Sequence, residues 1–287
     1  MNHKLIIGTV QFGLNYGINN QTGQPSEQEV FDILNEAAAQ GISILDTADA
    51  YGNATEILGR YNREFPGKFQ VNTKFRKGEK PVAEQLNRSL EKLNMESVNG
   101  YFYHSYADFI SYPELVDELL ALKDQGLISM TGLSVYNNAE LEQAVGHPGI
   151  DMIQLPFNLL DNFTYRGALI TEGKKNGKNI QVRSAFLQGL FFMDPDHSKP
   201  AVQALRSELL QLRSLSGQFG LTTEEMALGY CLQQEEIDNV LIGVDSLHQL
   251  NLNLKAAQTR LPEELVHAID GIKVADPDLL NASLWKN

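Results

Sequence analysis

One cysteine, Cys231, is all the chain contains, so no internal disulfide can staple it. That thiol falls in an apolar stretch, 226–233, that reads as a helix with no histidine close in sequence. It is expected to be buried and structural, in keeping with a reducing cytoplasm. Nowhere do about 18 apolar residues run together, so no membrane span is expected. The start, Met1-Asn2-His3-Lys4, leads straight into an apolar run without the pattern of a signal peptide. Basic residues are scarce: 23 Lys and Arg stand against 36 Asp and Glu, a formal net charge of −13. That balance argues against a nucleic-acid groove or an anionic membrane surface as partner. The six histidines (His3, His104, His147, His197, His248, His267) form no paired metal spacing, so no metal site is expected. No Gly-x-Gly-x-x-Gly follows a strand, and Gly217 and Gly220 lack a Walker lysine, so neither nucleotide-binding loop is indicated.

What is present is an alternation of short apolar runs with amphipathic stretches. Runs at 5–10, 43–46, 69–74, 99–104, 130–134, 152–156, 180–184 and 240–243 read as buried strands. Residues 27–40 place Val30, Ile33, Leu34 and Ala37 on one helical face, behind a capping box of Ser26 and Glu29, and Gly41 stops them. Residues 82–93 repeat the pattern with Leu86, Leu90 and Leu93. Further helices are expected at 54–61 behind Asn53 as cap, then at 112–125, 139–145, 165–176, 200–216, 223–233 and 246–257, with a last one beyond Pro262. The loop 11–25 is rich in Gly, Asn and Gln. Eight β–α units therefore follow one another without a linker. A doubly wound sheet could hold them, but eight even units in about 260 residues fit a closed (β/α)8 TIM barrel. The expectation is an α/β fold with one domain over 1–287.

In such barrels function gathers on the loops after the strands. Asp46 closes the second strand, Tyr51 follows in its loop, Lys74 ends the third strand and His104 the fourth. Each alone has a plain reading: a turn residue, a packed ring, a solvated cation, a structural histidine. Together at three successive strand ends they compose a proton-transfer site. A free phenol has a pKa of about 10 and is a poor acid near neutrality. An ammonium beside it stabilises the phenolate, a carboxylate keeps the ammonium charged and oriented, and an imidazole can hydrogen-bond a substrate oxygen. The set suits protonation of an oxygen while hydride arrives from elsewhere.

The stretch Asp46-Thr47-Ala48-Asp49-Ala50-Tyr51-Gly52, with Glu56 and Gly59 after it, resembles the signature of the aldo-keto reductase family. Lys74 and His104 stand where that family keeps the rest of its tetrad, and the resemblance runs from Gly8-Thr9 to the helix after the eighth strand. It implies a barrel that binds NAD(P)H and reduces aldehydes or ketones, with Tyr51 as general acid, Lys74 and Asp46 tuning it, and His104 orienting the carbonyl. Gln154 and Ser134 match the residues that hold the carboxamide, although Val135 replaces the asparagine that often follows the serine. Arg183-Ser184-Ala185-Phe186-Leu187-Gln188-Gly189 resembles the segment that packs on the nicotinamide and wraps the pyrophosphate, with Arg183 where many members carry an aromatic. A guanidinium plane can also stack. At the adenosine end, Gly243 is followed by Asp245 where NADPH-preferring members carry a basic residue, while Gln249 and Asn253 match positions facing the adenine. An acid there repels a 2′-phosphate and can accept from a ribose diol, which leans to NADH. The helix start at Ser246 keeps NADPH open, and the alternative reading of Asp245 is a cap on that helix.

Candidate walls of the substrate pocket are Phe12, Tyr16, Tyr106 and Phe157, with Phe191, Phe192 and Met193 either forming a lid or packing inside. Gln11 and Asn15 add polarity suited to a hydroxylated substrate. The opening 11–18 resembles a bacterial branch associated with sugar or surface-polysaccharide metabolism. With Trp285 so near the end, no long C-terminal substrate loop is expected. The expected activity is cytoplasmic, NAD(P)H-dependent reduction of an aldehyde or ketone, such as a sugar-type carbonyl, with a small molecule as partner. Two other readings stay open: a nicotinamide-binding sensor or partner subunit with little turnover, and a lyase or isomerase using Tyr51 and Lys74 without a cofactor.

Overall fold

Strands of three to seven residues, buried on nearly every position, pair in parallel because a helix carries the chain back after each one. A computed structural model describes residues 4–20 and 22–285; His3 lies outside them. In chain order the first half comprises β1 (Leu5–Gly8), α1 (Val10–Gly13), α2 (Glu27–Ala39), β2 (Ile44–Asp46), α3 (Ala54–Glu64), β3 (Gln70–Phe75), α4 (Val82–Leu93), β4 (Val98–Tyr103), α5 (Tyr106–Ser111) and α6 (Leu115–Asp124). The second half comprises β5 (Ile128–Ser134), α7 (Asn138–Gly146), β6 (Met152–Pro156), α8 (Phe163–Lys175), β7 (Asn179–Arg183), α9 (Pro200–Ala204), α10 (Arg206–Phe219), α11 (Thr223–Gln233), β8 (Asn239–Gly243), α12 (Leu247–Ala256) and α13 (Glu263–Asp270). The strands pair in sequence order, and β8 closes on β1 with Leu5 opposite Val240 and Gly8 opposite Gly243. The molecule is a closed (β/α)8 barrel.

The helices bury the faces that their periodicity marks. Val30, Ile33, Leu34 and Ala37 of α2 and Leu86, Leu90 and Leu93 of α4 enter the core. Full burial of one such leucine is worth about 1.5–3 kcal/mol. The Ser26–Glu29 capping box forms as expected, and α11 carries a second one from Thr222 and Glu225. Three expectations fail for identifiable reasons. Asn53 makes no cap bond, because its side-chain oxygen accepts from Gln24 Nε2 at 2.8 Å. The helix expected over 112–125 starts only at Leu115, and a separate short helix, α5, precedes it, since Tyr112 leaves helical geometry before Pro113. The first strand ends at Gly8, and residues assigned to strand and loop make the single turn α1.

The bore of the barrel is filled rather than open. Gly132 of β5 leaves a space occupied by the Phe102 ring of β4, and a Cβ there would fall 2.3 Å from it. Deeper in, Asn72 of β3 donates to Gln181 of β7 at 3.3 Å and accepts from Asn99 at 2.8 Å. This packed floor supports the ends of β2, β3 and β4, where the candidate groups sit. Cys231 is buried in α11 with its Sγ 3.6 Å from the Phe157 carbonyl, and burial pushes its thiol up.

Candidate active site

Register brings the four groups together. Asp46 ends β2, and Lys74, next to last in β3, reaches back to it; both are 2% exposed. The Lys74 ammonium is hydrogen-bonded to Asp46 and also donates to the Thr47 carbonyl at 3.2 Å. From β6, on the far side of the bore, Gln154 Nε2 donates to the other Asp46 oxygen at 2.9 Å. The carboxylate is thus held by groups from the neighbouring strand β3 and from β6 across the bore. Lys74 Nζ lies 5.4 Å from the centre of the Tyr51 ring, and the His104 ring meets Tyr51 edge-on at 5.8 Å and 83°. His104 is fixed at its own backbone, where its N–H donates to the Phe75 carbonyl at 2.9 Å.

Tyr51 sits on a loop, so its position needs a separate cause. The loop lies against α1 at a distance only glycines permit. A Cβ on Gly13 would fall 1.8 Å from the Tyr51 carbonyl oxygen, and one on Gly52, at φ +57°, would fall 2.2 Å from the Gly13 carbonyl oxygen. Tyr51 N–H also donates to the Ala48 carbonyl, and the Tyr51 carbonyl accepts from Ala54 N–H, each at 3.0 Å.

The electrostatics sort the groups by protonation state. Burial alone drives the Lys74 ammonium down, but the Asp46 carboxylate and the Tyr51 phenol together carry it above the usual lysine value, so it stays charged. Burial pushes the Tyr51 phenol up; Lys74 opposes that rise without cancelling it. The expected lowering by the ammonium is present, but desolvation outweighs it. Tyr51 therefore holds its proton at neutrality, which is the state a proton donor requires. Burial, then the charges of Lys74, Arg76 and Arg183, push the His104 imidazole down to about 3, so the ring is neutral and can donate from one nitrogen.

A cleft of about 250 Å³ opens beside Tyr51 and runs to α12. Of the residues singled out in the sequence, Asp46, Tyr51, Gln154, Arg183, Ser184, Phe186, Gln188, Gly189, Gly243, Asp245, Gln249, Asn253 and Tyr16 line it. Ser134 pairs with Gln154 in register but is buried beside the cleft rather than lining it. Leu187 turns its side chain into the core. Three proposed substrate walls are corrected. Phe12 is fully buried in the core, and Phe157 is fully buried and stacked on Tyr230 at 5.5 Å, because apolar rings at these positions pack inward between barrel and helices. Tyr106 packs on Phe109 at 6.0 Å, outside the cleft. Phe191 and Met193 pack inside, whereas Phe192 lines the cleft. Asp245 does not cap α12; the Ser246 side chain does. Sequence reasoning missed Glu224, Leu252 and Tyr136. Leu252 was visible as the i+3 neighbour of Gln249 on α12, while Glu224 reaches the cleft from α11 without any local signal.

The lining backbone is unusual. Ser184, Leu187 and Gln188 have φ of +62°, +47° and +55°, three of the four non-glycine residues with positive φ among those described. Strain concentrated in one loop marks a functional segment. The loop after β1 spans the cleft to meet both walls: Ile18 N–H donates to the Gln188 carbonyl at 3.2 Å, Gln188 Nε2 donates to the Tyr16 hydroxyl at 2.8 Å, and Thr22 Oγ1 donates to Asp245 Oδ2 at 3.3 Å. Burial raises the Tyr16 phenol to about 12, Arg183 opposing. Arg183 lies over the Tyr136 ring at 4.2 Å and donates to the Val135 carbonyl at 3.2 Å. An elongated cleft, a left-handed backbone loop, an exposed Gly243 and the N-terminus of α12 together fit a dinucleotide running from Tyr51 to α12. Among the described residues no group of three His, Cys, Asp or Glu could hold a metal ion, and no helix is long and apolar enough to cross a membrane.

Comparison with known proteins identifies the family and the fold. The model of the Aldo/keto reductase family matches residues 4–274. The chain is 25% identical to the NADH-specific methylglyoxal reductase of Escherichia coli (strain K12), over 86% of this chain and 90% of that one. It is 24% identical to an aldo-keto reductase of Bacillus subtilis (strain 168), over 79% and 78%. Its backbone superposes on the holo form of an aldo-keto reductase from Bacillus halodurans with a TM-score of 0.75, at 22% identity, covering 95% of this chain and 93% of that one.

Proposed function

The chain belongs to the aldo/keto reductase family and is an oxidoreductase acting on carbonyls, and from that premise we propose that it uses NADH to reduce a small aldehyde or ketone, with Tyr51 as proton donor. The observation that carries this reading is the buried Asp46–Lys74 pair set 5.4 Å from the Tyr51 ring at the mouth of the cleft. A bound nicotinamide supplies hydride. His104, neutral and beside Tyr51, donates to the carbonyl oxygen and orients it. Tyr51 delivers its proton to that oxygen. Lys74 stabilises the phenolate left behind, and Asp46, braced by Gln154, keeps the ammonium charged and aimed. Gln154, which lines the cleft, would hold the carboxamide, with Ser134 paired to it in register behind, and Gly243 and the 184–189 backbone would hold the phosphates.

The lean to NADH rests on charge. The described residues lining the α12 end include Glu224 and Asp245 and no Lys, Arg or His, so a 2′-phosphate would meet repulsion there. The name of the Escherichia coli relative points the same way. Tyr16, Asn19 and Asn20 give the pocket polar groups suited to a hydroxylated, sugar-type carbonyl. A lone buried thiol fits a cytoplasmic setting.

The test is Tyr51→Phe, assayed with NADH and NADPH against aldehydes, keto-sugars and aromatic ketones. Reduction is expected to fall by about a hundredfold or more, with NADH affinity nearly unchanged and NADPH the poorer donor throughout. Undiminished turnover would refute the role of Tyr51. Tight nicotinamide binding without single-turnover hydride transfer in the unaltered protein would favour the sensor reading, to which the Val135 and Arg183 departures lend themselves.

A further inference from the structure

Charge is divided along the cleft. Arg183, at the Tyr51 end, is the one Lys, Arg or His among the described lining residues. Among the other cations withdrawn from water, Lys74 meets Asp46 and Arg166 meets Asp161, whereas Lys178 is held by the His147 and Ile150 carbonyls. Arg183 is likewise held by neutral groups, the Val135 carbonyl and the Tyr136 ring. Its charge acts on the cleft, where it is felt at both Tyr51 and His104, and also on Asp161, which is already paired with Arg166.

Hydride delivery to a carbonyl carbon and protonation of its oxygen act on the two atoms of one bond. A nicotinamide ring working with Tyr51 must therefore lie next to it, inside the field of Arg183. The reduced ring is neutral. After hydride leaves with two electrons for the carbonyl carbon, and the Tyr51 proton joins the oxygen, the ring carries one positive charge. We propose that Arg183, braced by Tyr136, makes this cleft select the reduced nicotinamide cofactor over the oxidised one. An aromatic ring at the same place would do the opposite, because its face attracts a cation. The inference rests on the reductase reading and adds a consequence to it. Where oxidised cofactor outnumbers reduced, a site binding both equally is filled mostly with the wrong form. Repulsion by Arg183 keeps the cleft free for NADH and hastens loss of the product. Tyr136 acts only through Arg183 and is a positioning residue.

Binding without any carbonyl present tests this apart from turnover: NADH by its fluorescence, NAD+ by competition. The unaltered protein should bind NADH about tenfold or more tightly than NAD+, the effect of one unit charge on another a few ångströms away in a half-buried site. Arg183→Lys should keep most of that ratio, because the charge remains. Arg183→Gln should bring the two affinities within about threefold, and Tyr136→Leu should fall between, as the guanidinium loses its brace. Equal affinities in the unaltered protein overturn the inference, as does an unchanged ratio in Arg183→Gln. Failure to bind either nucleotide would overturn the reductase reading as well, and is recognised by the absence of any fluorescence change.

Discussion

Lys74→Met keeps the length of the side chain and removes its charge, leaving Asp46 as a carboxylate only 2% exposed. Asp46 would retain the Gln154 bond at 2.9 Å and nothing of comparable strength. Removing one partner of a buried ion pair costs about 3–5 kcal/mol, and the surviving bond places the expected loss toward the lower end. Part of that cost is avoidable by protonation. The stranded Asp46 should titrate above the free value of about 3.9, so the folded variant holds a proton that the unfolded chain has released. Its stability should then fall as pH rises through that window. The unaltered protein has a dependence of the same sign, but at the other end of the scale. Lys74 is raised above its usual value, so its contribution is full below about pH 10.4 and disappears only as pH climbs through the folded value. Adding Asp46→Leu to Lys74→Met removes both charges and should recover most of the stability while leaving carbonyl reduction absent. Urea unfolding at about pH 5 and pH 8 measures this for the single and double variants. A loss below about 1 kcal/mol at the higher pH, or a double variant no more stable than the single, would refute the account of the pair.

Gly13→Ala drives a methyl to 1.8 Å from the Tyr51 carbonyl oxygen, so the loop must move. Turnover should drop by about a hundredfold from a shift of roughly 1 Å, whereas Gly146→Ala, with nothing within 4 Å of the added methyl, should leave it unchanged. Equal activity in both would show that the contact does not position Tyr51. His104 supplies a pH prediction. Its imidazole is held down to about 3 by burial and neighbouring cations, while the unfolded chain protonates it near its usual value of about 6.5. The unfolded state therefore binds more protons as pH falls, and stability complete above about 6.5 is lost toward 3. His104→Gln should flatten that part of the stability curve, and superimposable curves would contradict it.

The eight apolar runs and the helical faces of α2 and α4 were legible because period and burial are local properties of the chain. So were Asp46, Lys74 and His104, since strand ends in a barrel gather at one face. The break between α5 and α6 lay in plain view at Pro113, whereas the single turn of α1 did not, because four residues are too few to carry a period. Phe12 and Phe157 illustrate the limit from the other side. A ring after a strand can face the cleft or the helix layer, and the sequence does not say which; here both pack inward.

By itself the sequence determined the barrel, the order of its units and the identity of the groups at three strand ends, since each follows from residues close along the chain. Only the tertiary structure decided how those groups are charged and held. Gln154 reaches Asp46 across 108 residues, and desolvation, not the nearby ammonium, sets the direction in which Tyr51 moves. Arg183 is held by the Val135 carbonyl and the Tyr136 ring because of where β5 and β7 place them beside it. Burial and field depend on distances through space, and those exist only once the barrel has closed.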